Sequence, residues 1–401
     1  MLRGTNINEN NIVENGILDA FLTTEAGGNA PLLNQIFKGL NIPGVGVVDG
    51  INITGSQAIR QNTTLYAYLL NNNAGGFANF LGYNTFVTGI RGGLLKNAGL
   101  PANFVVANPQ FGSAYLVGNF SNSTFNSLQL EVNKRFGSGF EVQGSYVRSK
   151  ALGDYDGTAQ SEASNFITLR NEHLDKRLLS FDEPNVLRMS GIWELPFGPD
   201  RRFLGSRHGI IGHAVERWTT SVIFYKTSGT PTAFSNSDGQ TFNYQSSSTT
   251  PTSVALGPLP TGSVYKSGNN VLYFTGLTQV ADPSINAMPT NLQSLSALYA
   301  IQNSSGQIVL ENPVPGQLGT LNSTNFRGLG SFTLNLQLSK PVVINRERNI
   351  VATFRADAIN LLNKPIWAFS STTLNIDSTS FGQITSANGS RTVNLTLRVG
   401  F

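Results

Sequence analysis

The chain has 401 residues and no cysteine, which excludes a disulfide scaffold and thiolate metal sites. Charge is scarce: Asp, Glu, Lys and Arg together make up 12%, where a soluble domain carries roughly a quarter. No apolar run reaches the roughly 18 residues of a membrane-crossing helix, so helical spans are excluded. The net charge of +4 is spread without a basic cluster, which argues against nucleic acid as a partner. G-x-S-x-G, Walker A and H-E-x-x-H are all missing, so no catalytic residue, no cofactor and no enzymatic activity are expected. The opening residues, MLRGTNINENN, lack the charged head and apolar core of a secretory signal. Set against the strand pattern below, this places Met1 inside a longer precursor rather than the product in the cytoplasm.

What is present is glycine (42 residues), much Asn, Ser and Thr, and a recurrent two-residue alternation. It is clearest at the carboxy-terminus, RTVNLTLRVGF. Val393, Leu395, Leu397, Val399 and Phe401 are apolar, and Thr392, Asn394, Thr396, Arg398 and Gly400 between them are polar or small. Side chains alternate across a strand, so this stretch has one apolar and one polar face. Eleven residues at about 3.3 Å each, tilted by about 45°, cover roughly the 25 Å apolar band of an outer-membrane barrel.

The alternation recurs upstream. Residues 126–136 set Leu128, Leu130, Val132 and Phe136 against Gln129, Glu131, Asn133 and Arg135. Gly137-Ser138-Gly139 then turns the chain into a return strand with Phe140, Val142, Gly144 and Tyr146 on one face. Further strands are expected over 186–195, 215–227, 326–340, 349–360 and 391–401, and a strand end in residues 1–8. Ile17, Leu18, Phe21 and Leu22 predict a short amphipathic helix within 14–25. Long loops are expected over 27–121, 150–184, 228–324 and 361–390, and short connections over 137–139, 196–214 and 341–348. Short and long connections alternate as periplasmic turns and extracellular loops do, and Phe136, Phe140, Trp193, Phe197 and Trp218 flank the turns as an interfacial girdle would. The fold reads as all-β: an antiparallel transmembrane β-barrel segment of about eight strands with long extracellular loops. It forms one domain over 1–401, in which 1–122 is mainly extracellular loop with a short helix near 14–25, and 123–401 carries barrel strands and loops.

Glu131, Arg135, Glu141, Arg188, Glu194, Arg355, Asp357 and Arg398 fall on the polar faces of these strands and should face the lumen, since charge on the lipid face is costly. A ladder of mutually compensating ion pairs is the simpler account of them, and a substrate path the sharper one. His208 and His213 are five apart, which does not share a helical face, and with His173 they read as solvated polar residues rather than metal ligands. Asp154, Asp156 and Gly157 resemble the start of a calcium loop, but the later ligands do not follow, so a plain Asx turn is expected. Tyr265, Tyr273 and Phe274 could stack on sugars, though local packing explains them as well.

The phrases NINENNIVENGILDAFL near the start, SYVRSKAL (145–152), SFDEPNVLRMSGIWELPFG (180–198), YKTSGTP (225–231) and FRADAINLLNKP (354–365) together resemble the carboxy-terminal barrel of Oar-like TonB-dependent receptors. They keep their order from near the start to residue 365. The closing strand, Val393, Leu395, Leu397, Val399 and Phe401, likewise resembles the signal read by the barrel-assembly machinery. The resemblance implies a barrel of the 22-stranded class in the bacterial outer membrane, in contact with its lipid. It further implies uptake of an oligosaccharide, a peptide or a metal chelate, energised by the TonB complex through a plug that this chain lacks. Two other readings stay open: a passive small porin made of these strands alone, and a surface β-sandwich adhesin that binds glycans.

Overall fold

The computed structural model describes residues 3–85, 89–137, 139–155, 166–199, 201–206, 209–236, 253–321, 324, 326–348 and 350–401. Seven long strands build one antiparallel meander: β1 (Ser123–Phe136), β2 (Phe140–Gly153), β3 (Asn185–Glu194), β4 (Thr219–Thr227), β5 (Ser331–Asn345), β6 (Ile350–Ile359) and β7 (Thr392–Gly400). Each pairs with its neighbour in sequence, and the two-residue strand Arg177–Leu178 adds to β2. Among the described residues no strand covers the outer edge of β1 or of β7, so the sheet is open.

The register explains why the alternation was readable. Leu130 lies opposite Tyr146, which lies opposite Leu187; Val222 lies opposite Leu336, which lies opposite Ala358. Ala358 in turn meets Val393 on β7, so one apolar face continues across all seven strands. Gly139, at φ 73°, closes the β1–β2 hairpin where Phe136 faces Phe140, a conformation that favours glycine.

Several boundaries differ from expectation. β1 starts at Ser123, and β2 runs on to Gly153 because the Ser123–Asn126 end of β1 gives Lys150 to Gly153 partners. The strand expected from residue 215 begins at Thr219, and Gly209–Val215 is a helix. The turn expected from residue 341 is strand through Asn345. Pairing of β5 with β4 ends at Ser339, so Pro341 sits where β5 has become an edge on that side, the place where a strand tolerates a missing N–H. Instead of a strand end joining the sheet, Arg3–Asn6 pairs with Tyr115–Gly118 as a separate ribbon.

The fold is mostly rather than wholly β. The expected helix is present as α1 (Ile17–Glu25), but the segment expected to be mainly loop carries five more. These are α2 (Pro31–Phe37), α3 (Gly55–Gln61), α4 (Tyr66–Leu70), α5 (Ala74–Tyr83) and α6 (Gly93–Asn97). Their apolar faces meet in one core that includes Phe21, Leu33, Ile59, Phe77 and Leu94, and that takes in Met288 and Leu292 from far along the chain. Thr54 and Asn73 cap α3 and α5 by accepting from the amides of Gln57 (3.0 Å) and Gly76 (2.6 Å). A Cβ on Gly55 would lie 2.1 Å from the Leu33 carbonyl oxygen, so only glycine lets α3 start against α2.

The long loops over 228–324 and 361–390 also build structure. Val254–Ala255, Ile308–Glu311, Tyr299–Asn303 and Leu277–Ala281 form a four-stranded sheet. Beside it Phe234, Phe274, Ile301, Leu310, Leu374 and Ile376 make a second core.

Candidate functional site: the polar face and loop end of the sheet

The two faces of the meander differ as lipid does from water. Leu128, Leu130, Val132, Leu395 and Leu397 stand exposed on one face, the last two at 70%. All eight charges named from the sequence lie on the other. Arg135 pairs with Glu141 (2.9 Å), Arg355 with Asp357 (2.8 Å), and Glu194 with Arg201 (3.9 Å). Exposed pairs of this kind contribute about 1 kcal/mol or less each. Arg188 lies over the Tyr225 ring at 5.4 Å and makes no ion pair among the described residues, nor do Glu131 and Arg398.

Glu131 and Arg188 share a hollow of about 450 Å³ with Gln143, Ser145, Ser190 and Tyr225. It offers one guanidinium, one carboxylate, two hydroxyls, an amide and an aromatic face. That set can hydrogen-bond and stack on a polar solute.

The aromatics expected at the turns do gather at one end. Phe136 stacks on Phe140 at 5.3 Å, Phe140 meets Trp193 edge-on at 6.3 Å, and Trp218 meets Phe354 edge-on at 6.3 Å. Phe401 lies at the same end.

At the opposite end, the loops are pinned to the strands by residues that sequence reasoning did not single out. The Asp182 carboxylate accepts from the Ala151 amide (2.6 Å) at the end of β2 and from Arg327 (2.5 Å). Arg327 also donates to the Asp182 carbonyl (3.1 Å) and to the Gly229 carbonyl (3.4 Å). Asn185 accepts from the Tyr146 hydroxyl (2.7 Å) and donates to Ser228 (3.1 Å). Gly229 lies so close to Gly328 that a Cβ would come within 1.8 Å of its carbonyl oxygen. Asn360, at φ 50°, donates to the carbonyls of Lys364 (2.9 Å) and Gly389. Four of the five phrases behind the family resemblance reach a strand-to-loop junction, and Asp182, Asn185, Ser228 and Asn360 within them are latches.

Arg3 is a further latch, fully buried. It donates to the Asp154 carbonyl (3.1 Å) and to Asp175 (3.1 Å), and its guanidinium lies 3.5 Å from the Phe166 ring centroid. Burial pushes the Asp175 carboxyl up from its ordinary value, and the Ile167 amide and Arg3 oppose that rise. No pattern in the sequence marked Arg3, because its partners are about 150 and 170 residues away.

The remaining candidates are ordinary. The Asp154 carboxylate accepts from the Asn122 amide (3.1 Å), while Asp156 and Gly157 lie outside the described residues. His213 pairs with Glu216 (2.9 Å), which holds that carboxyl below its ordinary value; His173 sits in a 3-10 turn, and His208 lies outside the described residues. Among the described residues no group of three His, Asp or Glu could hold a metal ion. Phe274 is buried against Phe381 (5.4 Å), Tyr273 meets Phe369 edge-on (4.9 Å), and the Tyr265 hydroxyl donates to the Phe274 carbonyl (2.7 Å). Packing, not a sugar platform, accounts for Phe274.

Among the described residues no helix is long and apolar enough to cross a membrane, which says nothing of strands. A family model described as an outer membrane beta barrel domain matches residues 10–394. No curated protein and no solved structure gives a match. With one apolar and one polar sheet face, a girdle at the turns and a family match along nearly its whole length, this chain belongs to the outer membrane beta-barrel domain family and is a protein of the bacterial outer membrane.

Proposed function

We propose that the chain is the barrel portion of an Oar-like TonB-dependent receptor and takes part in uptake of an oligosaccharide, a peptide or a metal chelate. The observation that carries this reading is the open sheet: two edges with no partner strand among the described residues, an apolar face and a charged face. β1 and β7 both run from the loop end to the turn end, so joining them directly would pair parallel strands. All-antiparallel closure needs an odd number of further strands. A small porin would need one such strand from these residues, and Arg3–Asn6 lies on its own ribbon instead. A soluble sandwich would cover the apolar face with a second sheet, and Leu128, Leu130, Val132, Leu395 and Leu397 on that face stand exposed.

On this reading the eight charges face the lumen, where their hydrogen-bonding capacity lines the route of a polar solute. Contact with TonB runs through a plug supplied outside these residues. The barrel-assembly machinery would read β7, whose residues are exposed throughout and lead to Phe401.

Two measurements test this. Reconstituted alone in liposomes, the chain should give no solute flux; flux at the rate of an open pore would establish the passive porin instead. In cells carrying the whole receptor, uptake should stop when TonB is lost, and uptake that continues would overturn energised transport.

A further inference from the structure

Helix α7 (Gly209–Val215), in the connection between β3 and β4, presents Ile210 at 90% exposure and Ile211 at 59%. Phe203 and Leu204, just before it, are exposed as well, and Arg201, Arg202 and Arg217 stand exposed among them. A soluble connection would not display this much apolar surface in so short a span.

The sheet shows which side α7 lies on. Lys340 occupies the apolar row of β5, opposite Phe354, between Leu338 and Val342. A lysine there would be costly in lipid, yet it is only 9% exposed. Its ammonium donates to the carbonyls of His213 (2.6 Å) and Glu216 (2.5 Å) at the end of α7, and lies 5.5 Å from the Trp218 ring centroid. The Trp218 indole donates to the Ala214 carbonyl (2.9 Å), and its ring meets Phe354 of the same apolar row. Cations near a helix carboxy-terminus are stabilising, and here the cation also ties the helix to the sheet. Both tethers come from the apolar face, so α7 is held outside the sheet at the level of the aromatic girdle.

We infer that α7 and the residues before it form an interfacial anchor for the phospholipid leaflet at the turn end. Ile210, Ile211, Phe203 and Leu204 enter the boundary between headgroups and acyl chains, while Arg202 and Arg217 meet headgroup phosphates; Arg201 turns instead to Glu194 on the polar face. Apolar side chains backed by basic residues are the composition that binds such an interface. Charge complementarity selects anionic phospholipid, and continuity with the apolar face selects membrane over a soluble partner. The inference rests on that face meeting lipid.

The absence of cysteine makes a single-label experiment clean. Ile211→Cys, carrying an environment-sensitive fluorophore, is placed in vesicles of phosphatidylethanolamine and phosphatidylglycerol, with Leu395→Cys labelled in parallel. The label at 211 should be quenched several-fold more by a lipid nitroxide near the glycerol than by aqueous iodide. Replacing phosphatidylglycerol with phosphatidylcholine should weaken that quenching, and Arg202→Gln with Arg217→Gln should remove the difference. If the 395 label is quenched by deep nitroxides while the 211 label is quenched by iodide or by neither, the anchor is overturned and the membrane-facing sheet stands. If the 395 label escapes deep nitroxides, the membrane-facing reading fails and takes the anchor with it.

Discussion

Glu25, the last residue of α1, is 5% exposed, and its Oε1 has no hydrogen-bond partner. Burial pushes its carboxyl up from 4.5 to about 8, so the folded protein holds this proton where the unfolded chain has released it. The stabilisation is complete below about pH 4.5 and is lost as pH rises through about 8. Each pH unit in that window removes up to about 1.4 kcal/mol. Glu25→Gln keeps the shape and removes the titration. Thermal melts of the helical body should fall between pH 5 and 8 in the parent and stay nearly level in the variant, which should be the more stable of the two at pH 8.5. An equal slope in both would show that Glu25 is ionised throughout. Nothing in the sequence marks this residue, because a single Glu at the end of an amphipathic stretch looks like any solvated charge until its neighbours are known.

For the strands, the alternation was long and regular enough to place all seven long members of the sheet, as β7 illustrates, whereas the two-residue strand Arg177–Leu178 fell within an expected loop. The misplaced boundaries were those where tertiary contacts decide: Pro341 remains in β5 because β4 has stopped beside it, and residues 209–215 coil because Lys340 and Trp218 hold their carbonyls. Helices α2 to α6 were hidden for another reason. They run from 5 to 10 residues, and all but α4 hold glycine or asparagine, so they are too short for a clear period and too weak to form without the core they share. Of the candidate site, the charged face could be read from period alone, and the latches could not. An element-scale test follows from β7: Leu395→Arg puts a cation at mid-strand on the apolar face, at a cost of about 2–4 kcal/mol in lipid. Membrane-inserted yield should fall sharply, whereas Asn394→Arg, on the polar face, should insert like the parent. Normal insertion of both would mean that the face does not meet lipid.

Across the whole molecule, mass is gathered at one end. The helical body, the second core and the junction latches all lie where the strands leave the sheet for long segments, and among the described residues the other end carries turns and α7. Asp182 joins the end of β2 to Arg327, which also holds the Gly229 carbonyl, and its side chain is fully buried. Asp182→Ala leaves the Ala151 amide without its acceptor and Arg327 without its carboxylate, a loss of about 1–3 kcal/mol since Arg327 is partly solvated. Limited proteolysis should then cut within 166–184 or 228–236 sooner than in the parent, while heat-modifiable gel migration of the assembled sheet stays unchanged. Loss of that migration would mean that Asp182 supports the sheet itself.

The core of the helical body contains Met288 and Leu292, which follow α6 only after β1 to β4 have been laid down. Its last pieces therefore come from the segment between β4 and β5, which has to reach the same side of the membrane before they can dock. A chain arrested after β4 would carry six helices around an unfilled gap. The connectivity thus couples the two parts: the helical core is closed only when the segment between β4 and β5 lies on its side of the sheet.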